Sequence, residues 1–299
     1  MVGFLEMAVR EALFTHLDQV APDGRLSWEQ TASFEFAGET YAIRQTRGRG
    51  IHKPRQLSAA LSITTKFTPF GQQPPYDDSI GVEGFPRYKY ERTDPQLSTN
   101  RALRAAKDLE LPIVYFLGIR PGIYQANYPM YVIDEDSANM EFTLGFSRGD
   151  LSLDLSSLSA PEKVYAARMT RQRLHQPVFR EQVLHAYQCR CTVCRLGHSQ
   201  LLDAAHITSD SEVGGDPVIT NGLALCKIHH AAYDQNIMGI TPDYEIKISE
   251  SLLDEIDGPM LRHGLQEMHG SKIALPKHRL QHPDQDRLAL RFESFRAAS

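Results

Sequence analysis

The spacing of apolar residues predicts helices and strands that alternate along the first half of the chain. Met1–Val20 carries apolar residues at helical intervals with acidic residues between them, which predicts an amphipathic helix. Ser33–Phe36 and Tyr41–Arg44 have the spacing of a β-hairpin. A second helix is predicted over Asn100–Leu109, and no apolar run in the sequence is long enough to cross a bilayer.

Three further strands and a long helix complete the pattern. The strands are predicted at Ile113–Leu117, Met130–Ile133 and Phe142–Phe146. Serine and leucine alternate over Asp150–Pro161, which we interpret as a boundary between domains. A basic helix is predicted from about 161 to 187, directly before a cluster of cysteines. The pattern therefore predicts an α+β protein with domains at residues 1–155 and 161–299.

The distribution of charge along the chain is more informative about a possible partner than the net charge is. The whole chain carries a net charge of −5 at neutral pH. Residues 41–107 hold twelve Lys and Arg against five Asp and Glu, a balance of 12 − 5 = +7, whereas residues 1–40 hold two Arg and seven acidic residues. A basic middle segment is compatible with a surface that faces DNA. A solvated surface without a nucleic-acid partner is the alternative.

The cysteines lie in one short part of the chain, at positions 189, 191, 194 and 226. A secreted disulfide scaffold would spread its cysteines, so this clustering indicates a metal. Cys191 and Cys194 form one Cys-x-x-Cys pair, and Cys226 and His229 form a Cys-x-x-His pair after 226 − 194 − 1 = 31 residues. Two such pairs supply the four ligands of a closed tetrahedral zinc site. Cys189 competes with Cys191, but its longer spacing from Cys194 is less common, and we interpret it as a spare thiol.

Three polar residues are threaded through the zinc pairs, in the order His206, Asn221 and His230. This order, together with the two zinc pairs, resembles the HNH family, also called the ββα-metal nucleases. The resemblance covers about residues 178–240. It implies an endonuclease that hydrolyses phosphodiester bonds in DNA, with a structural zinc ion and a catalytic magnesium or manganese ion.

The resemblance implies a role for each of the three residues. His206 is the general base, since an imidazole titrates near neutrality and can take a proton from water. Asn221 orients the His206 side or holds the loop that carries it. His230 binds the divalent ion that neutralises the phosphate and the leaving 3′ oxygen. A buried structural histidine at position 206 and an ordinary turn at Asn221-Gly222 are the alternatives.

One position departs from the family pattern. In much of the family a His or Asp directly precedes the general base and binds the metal, whereas this chain has Ala205 there. Asp203 lies two residues earlier, on the same face of a strand, and is one candidate replacement. Asp234 is the other, because the helical spacing places it on the same side as His230. A weakened or inactive site is the alternative interpretation.

A mixed α/β domain placed before an HNH domain is the layout of the McrA-like modification-dependent restriction endonucleases, which this chain resembles. The resemblance implies that residues 1–155 are a recognition domain for double-stranded DNA. In that group the first domain is often an SRA-like or other PUA-like barrel that extrudes a modified base, or a domain that detects a phosphorothioate backbone.

Two basic stretches supply the candidate DNA-binding residues. The first has the composition of a flexible loop that lies along phosphates, and contains Arg44, Arg47, Arg49, His52, Lys53 and Arg55. The second interleaves charges with aromatic rings and consists of Arg87, Tyr88, Lys89 and Tyr90. For this second stretch the alternative is a strand on which the two tyrosines are half-buried and the two cations face water.

Together these features predict a metal-dependent endonuclease that restricts modified or foreign DNA. A homodimer is expected, because one HNH site cuts one strand. A cytoplasmic location is expected, since residues 1–20 lack the continuous apolar centre of a signal peptide. The alternatives are a DNA-binding protein with a degenerate nuclease site and a modification-independent nicking or repair nuclease.

Overall fold

The computed structural model of the chain describes residues 2–45, 50–68, 81–92 and 94–298. The first helices and strands, in chain order, are α1 (Val2–Val20), β1 (Arg25–Ser27), β2 (Ser33–Phe36), β3 (Glu39–Ala42), β4 (Ile51–His52), β5 (Ser62–Thr65), β6 (Arg87–Lys89), α2 (Ser98–Asp108), β7 (Ile113–Arg120), β8 (Ile123–Asp136), β9 (Glu141–Gly145) and α3 (Ala160–Thr170). The remaining ones are α4 (Gln176–Ala186), β10 (Leu202–His206), β11 (Gly222–Cys226), α5 (Lys227–Asp234), β12 (Met238–Ile240), β13 (Ile246–Ile248), α6 (Glu250–Leu253), α7 (Pro259–Gly264) and α8 (Gln285–Ala298).

The central sheet of the first half has the strand order β4-β5-β7-β8-β9-β6, and β1 adds to β8. β7 and β8 form an antiparallel hairpin whose turn contains Gly122 at φ +74°, a conformation that glycine adopts without strain. β5 and β7 are parallel, and α2 lies in the connection between them. A parallel pair requires such a crossover, which explains why a helix interrupts the strands here.

The sheet is curled, so that its two end regions approach each other. Tyr88 of β6 donates a hydrogen bond from its hydroxyl to the carbonyl of Thr64 in β5 at 3.3 Å. Its ring also packs edge-on against Tyr115 of β7, with the centroids 6.0 Å apart. A Cβ at Gly50 would collide with the Tyr88 hydroxyl, so glycine permits this approach. The sheet is thus a half barrel, and the predicted mixed α+β class is confirmed.

Both faces of the sheet are covered by apolar side chains. Along β7, Val114 and Phe116 join the cluster that contains Leu13 and Leu17 of α1. Tyr115, between them, belongs to the cluster on the other face, which includes residues of α2. Successive side chains of a strand point to opposite faces, so one strand contributes to two cores.

A buried ion pair fastens α1 to the loops of the same unit. The Arg10 side chain is fully buried, with Nη1 2.5 Å from Glu6 Oε2 and Nη2 donating to the carbonyl of Ala60 at 2.7 Å. The other carboxylate oxygen of Glu6 accepts from the backbone N–H and the hydroxyl of Ser58. Both terminal nitrogens of Arg10 and both carboxylate oxygens of Glu6 therefore have hydrogen-bond partners.

Replacing Glu6 with alanine is expected to lower the free energy of unfolding of the first unit by about 3–5 kcal/mol, because it leaves the Arg10 guanidinium buried without its counter-charge. Trp28 is the one tryptophan of the chain and lies in this unit, so its fluorescence during urea denaturation measures the change. Glu11→Ala, on the exposed side of the same helix, should change it by no more than about 0.5 kcal/mol. Equal losses in the two variants would contradict a stabilising role for the pair.

The chain divides into two compact units, Met1–Pro177 and Val178–Ser299, and the division falls inside a helical segment. The segment consists of α3, a π-helical stretch at Arg171–His175, and α4. α3 belongs to the first unit: the Thr170 hydroxyl donates to the carbonyl of Gly84 at 2.7 Å. This division lies later than the predicted boundary at residues 150–161, because residues of α3 complete the core under the sheet.

The second unit is built on two antiparallel strand pairs, β10–β11 and β12–β13. α5 lies between them in sequence, and α8 packs against β12. A Cβ at Gly239 of β12 would lie 2.6 Å from Cγ of Phe295, so glycine allows α8 its close approach. In the described ranges no helix has the length and apolar character required to cross a membrane.

Candidate functional site

β10 and β11 pair in unbroken register, from Leu202 opposite Cys226 to His206 opposite Gly222. α5 begins directly after β11, which completes a β-β-α unit. Cys226 and His206 lie at opposite ends of this hairpin, about 13 Å apart along the strands. The cysteine cluster and His206 therefore belong to separate centres.

Four potential metal ligands meet where β11 joins α5. The ligand atoms of Cys191, Cys194, Cys226 and His229 all lie within 4.8 Å of one another. The Sγ atoms of Cys194 and Cys226 are 3.9 Å apart, and Nδ1 of His229 is 3.6 Å from Sγ of Cys191. Two thiolates on one tetrahedral zinc ion are about 3.8 Å apart, so the arrangement fits zinc. Cys189 lies outside this group, as expected for a spare thiol.

His229 is oriented by a contact on the far side of its ring. Its Nε2 donates to the carbonyl of Gly264, at the end of α7, at 2.7 Å. This bond leaves Nδ1 as the unprotonated nitrogen that faces the sulfurs. The segment after the β-β-α unit thus supports the ligand set.

Asn221 holds both ends of the loop between β10 and β11. Its side-chain oxygen accepts from the backbone N–H of Thr208 at 2.8 Å, and its Nδ2 donates to the carbonyls of Thr208 and Asp216. The residue is fully buried. An alanine here would remove all three of these hydrogen bonds to the backbone, so Asn221 defines the path of the loop that follows His206.

His206 lies at the end of β10, half-buried and stacked on Phe179, with ring centroids 4.0 Å apart. Its Nε2 is buried and has no hydrogen-bond partner among the described residues. Burial lowers its pKa below the ordinary 6.5; the nearby Asp210 opposes the shift, and His230 adds to it. A neutral imidazole, able to accept a proton, is therefore the favoured form near neutrality.

His230 is placed between two carboxylates. Its Nδ1 is 3.4 Å from Oδ2 of Asp203, and its Nε2 is 3.4 Å from Oδ2 of Asp234. Asp203 also pairs with Lys227, and its other oxygen is 3.8 Å from Nε of Arg180. The structure thus brings both predicted acidic candidates to His230, but on opposite edges of its ring.

Ala205, at the position where much of the family has a metal ligand, is fully buried and faces the core of the unit. Asp203 reaches His230 from earlier on the same strand. Burial raises the pKa of Asp203, but the hydrogen bonds and charges of Lys227 and His230 lower it more, so the side chain is a carboxylate. The departure at Ala205 therefore leaves an acidic group beside His230.

The same segment matches a known family. Residues 191–241 match the model of the family described as HNH endonuclease. This segment is an HNH endonuclease domain. The match begins at the first cysteine of the ligand group and ends just after β12, so the HNH domain contains the cysteine group, His206, Asn221 and His230.

Comparison of the whole chain with solved structures finds restriction endonucleases at low similarity. The modification-dependent TagI restriction endonuclease is 16% identical, with 82% of this chain and 85% of that chain covered and a TM-score of 0.30. The type IV phosphorothioation-dependent restriction endonuclease ScoMcrA is 16% identical, with 62% of this chain and 48% of that chain covered and a TM-score of 0.24. No curated protein matches the chain.

The C-terminal helix supports the HNH domain from outside the matched segment. Arg291 of α8 donates to the carbonyl of Tyr233 and to the side-chain oxygen of Asn236, at the end of α5. Arg287 donates to the carbonyl of Gly214 in the loop that Asn221 holds. These contacts join residues far apart in the sequence, and no local motif signals them.

The first basic stretch of the first unit is largely committed to internal contacts. Arg47 and Arg49 lie outside the described residues. The Arg44 side chain is buried, lies over the ring of Trp28 and donates to its carbonyl at 2.9 Å. Burial lowers the pKa of Arg44 to about 10, against the opposing influence of Tyr124. Arg44 therefore stabilises the unit, and its guanidinium is not available to a phosphate in this structure.

The rest of this stretch differs in exposure. His52 is buried, with Nε2 3.0 Å from the carbonyl of Ala42, and burial lowers its pKa. Nζ of Lys53 donates to the carbonyl of Leu57 at 2.6 Å. Arg55 is the exposed residue among the described members of the stretch.

The second stretch lies mainly on β6 and is structural. Tyr88 and Tyr90 are buried, and the rings have packing partners. Nζ of Lys89 is 2.5 Å from Oε2 of Glu141, and Nε of Arg87 is 3.7 Å from the other oxygen. The tyrosines are thus more buried than either interpretation of the sequence requires, because the sheet curls over them.

Proposed function

We propose that this chain is a metal-dependent DNA endonuclease in which His206 is the general base. The observation that carries the proposal is the desolvated imidazole at the end of the HNH hairpin, beside a loop that Asn221 fixes. Such a group accepts a proton from water at neutral pH without first losing one of its own. Asn221 acts by holding the loop, since its polar atoms bond to backbone groups of that loop.

We assign the catalytic divalent ion, magnesium or manganese, to the edge of His230 that faces Asp234. Two ligand atoms of one octahedral ion lie about 3.0 Å apart, which the 3.4 Å separation of Nε2 and Oδ2 approaches. Asp234 is exposed, whereas Asp203 already pairs with Lys227. Asp203 then orients His230 through Nδ1, and an ion held at the other edge supplies positive charge for the phosphate.

We assign zinc to the group of three cysteines and His229 and give it a structural role. All four ligand positions are filled by protein side chains, which leaves none for water or substrate. The ligands come from the loop before β10, from the end of β11 and from α5. One ion therefore ties the loop before β10 to β11 and to α5, the helix that carries His230.

The dependence of cleavage on pH tests the role of His206. The folded pKa of His206 lies below 6.5, so the neutral fraction of its ring increases with pH and reaches one half below pH 6.5. The cleavage rate should therefore rise with pH in the acid range and become constant above pH 6.5. Single-turnover rates between pH 5 and about 8 measure this. An acid limb due to a metal ligand moves with metal concentration, whereas a limb due to the base stays in place. A limb centred above pH 6.5 would count against His206 as the base.

We further propose that the first unit directs the nuclease to modified or foreign DNA, as a restriction enzyme, and that two chains act together to cut both strands. The support is the presence of a separate folded unit before the HNH domain and its basic segment, of which Arg55 is exposed. The internal contacts of Arg44, His52, Arg87 and Lys89 remove those residues from the proposed DNA contacts.

The test is cleavage of unmodified plasmid beside DNAs that carry methylated, hydroxymethylated or phosphorothioate positions, each with magnesium and with manganese. A His206→Ala protein is the inactive control. Cleavage of one modified DNA, abolished in the control, supports the whole proposal. Equal cleavage of every DNA would support the nuclease activity but contradict its dependence on modification. Binding without cleavage in either metal would identify a DNA-binding protein with a degenerate site.

A further inference from the structure

The ring of His206 lies nearly flat against that of Phe179 from α4. The centroids are 4.0 Å apart and the planes are inclined by 19°. Phe179 is 2% exposed and belongs to the hydrophobic core of the second unit, so its ring is held in place by packing. The imidazole thus rests on a rigid surface.

Gly222 makes this contact possible. It lies directly opposite His206 in the β10–β11 register. A Cβ built there would lie 3.0 Å from Cζ and 3.1 Å from Cε2 of Phe179, and would collide with Cγ2 of Val183. Any larger residue would therefore push α4 and its phenyl ring away from the hairpin. The glycine lets the helix approach at the level of the imidazole.

The orientation of the His206 imidazole depends on stacking, because no hydrogen bond from a described residue holds its buried nitrogen. A catalytic histidine is commonly fixed by a carboxylate or carbonyl that bonds to its second nitrogen. In the described part of the chain, Nε2 of His206 is enclosed and has no hydrogen-bond partner. Its ring plane is therefore set by packing against Phe179.

We propose that Phe179 is a positioning residue for the general base, and that Gly222 is the position that admits its ring. The inference rests on the proposed role of His206 and deepens it. Without this contact the His206 imidazole could rotate about its side-chain bonds, and its basic nitrogen would point toward the attacking water for a smaller fraction of the time. The effect falls on the chemical step and not on DNA binding, because Phe179 is buried under the hairpin.

The experiment compares Phe179→Leu, Gly222→Ala and the double variant in the zinc-loaded full-length protein. Misplacement of a catalytic group by about 1 Å costs on the order of 10²-fold, so kcat should fall by about that factor while KM is unchanged. Both substitutions disturb the same contact between Phe179 and His206, so kcat of the double variant should be only slightly lower than that of either single variant. Phe179→Met replaces Phe179→Leu if the latter fails to fold.

The matched control is Val183→Ala, on the same helix and equally buried, which keeps the ring pair. The ring protons of His206 should show an upfield NMR shift from the phenyl ring current in wild type and in Val183→Ala, and should lose it in Phe179→Leu. A kcat for Phe179→Leu no lower than that of Val183→Ala overturns the inference, as does a change confined to KM. His206→Ala in the same assay separates this failure from failure of the proposed nuclease.

Discussion

Replacing Cys226 with serine is expected to abolish zinc binding, unfold the second unit and eliminate cleavage. Cys226 is the last residue of β11 and directly precedes α5, so its loss loosens the hold of the ion on both. Structural zinc contributes about 10–16 kcal/mol in small zinc domains. That is comparable to the total stability of a domain, about 5–15 kcal/mol. The second unit should therefore be unfolded at room temperature.

Zinc content and circular dichroism measure this result. Wild-type protein should contain one zinc per chain, and a chelator should reproduce the effect of the substitution. A hydrogen bond with Cys226 lowers the pKa of Cys191, and the same contact, with burial, raises that of Cys226 to about 11. A proton must then leave as zinc binds, so zinc affinity should increase with pH.

Cys189→Ser is the matched control, because Cys189 lies two residues from Cys191 but outside the ligand group. It should retain zinc, the fold and activity. Loss of zinc in Cys189→Ser and its retention in Cys191→Ser would show that Cys189, and not Cys191, is the ligand paired with Cys194. Full activity of Cys226→Ser would contradict a structural zinc ion.

Replacing His206 with alanine is expected to lower kcat by about 10²–10⁴-fold, the contribution typical of a positioned general base. DNA binding should persist, because Asn221 and α8 continue to hold the loop around the vacated position. The fold should persist as well, since the half-buried imidazole accepts no hydrogen bond at its buried nitrogen.

Single-turnover cleavage and equilibrium binding of the same DNA measure the two expectations separately. His198→Ala, an exposed histidine on the same unit, is the control and should behave like wild type. Added imidazole should restore part of the rate of His206→Ala if the loss is that of a base. A rate within a few-fold of wild type would instead support the structural interpretation of His206.

Local spacing explains why the zinc group was predictable. Cys191 and Cys194 belong to one turn, and Cys226 and His229 to the start of one helix, so each pair is set by neighbouring backbone. The two pairs meet because the backbone N–H of Thr192, between the first two cysteines, donates to the carbonyl of Ala224 in β11 at 2.7 Å. Helix periodicity predicts Asp234 on the side of His230, whereas strand periodicity predicts only that Asp203 shares a face with Ala205; both carboxylates lie 3.4 Å from the ring of His230.

Exposure of the basic residues does not follow from composition. Arg44, His52, Arg87 and Tyr88 have the composition of a DNA-binding surface, but the fold of the first unit buries them or pairs them internally. Sequence composition does not distinguish a cation that faces a phosphate from one that faces Glu141. That difference depends on which strands become neighbours.

Periodicity and short spacings within single elements predict the α+β class, the order of the HNH elements and the candidate ligand group of three cysteines and His229. The division of the units at 177–178, the position of His230 between two carboxylates, and the stacking of Phe179 on His206 opposite Gly222 come from the packing of the elements. These contacts join residues that are distant in the chain, and they arise from how the elements pack.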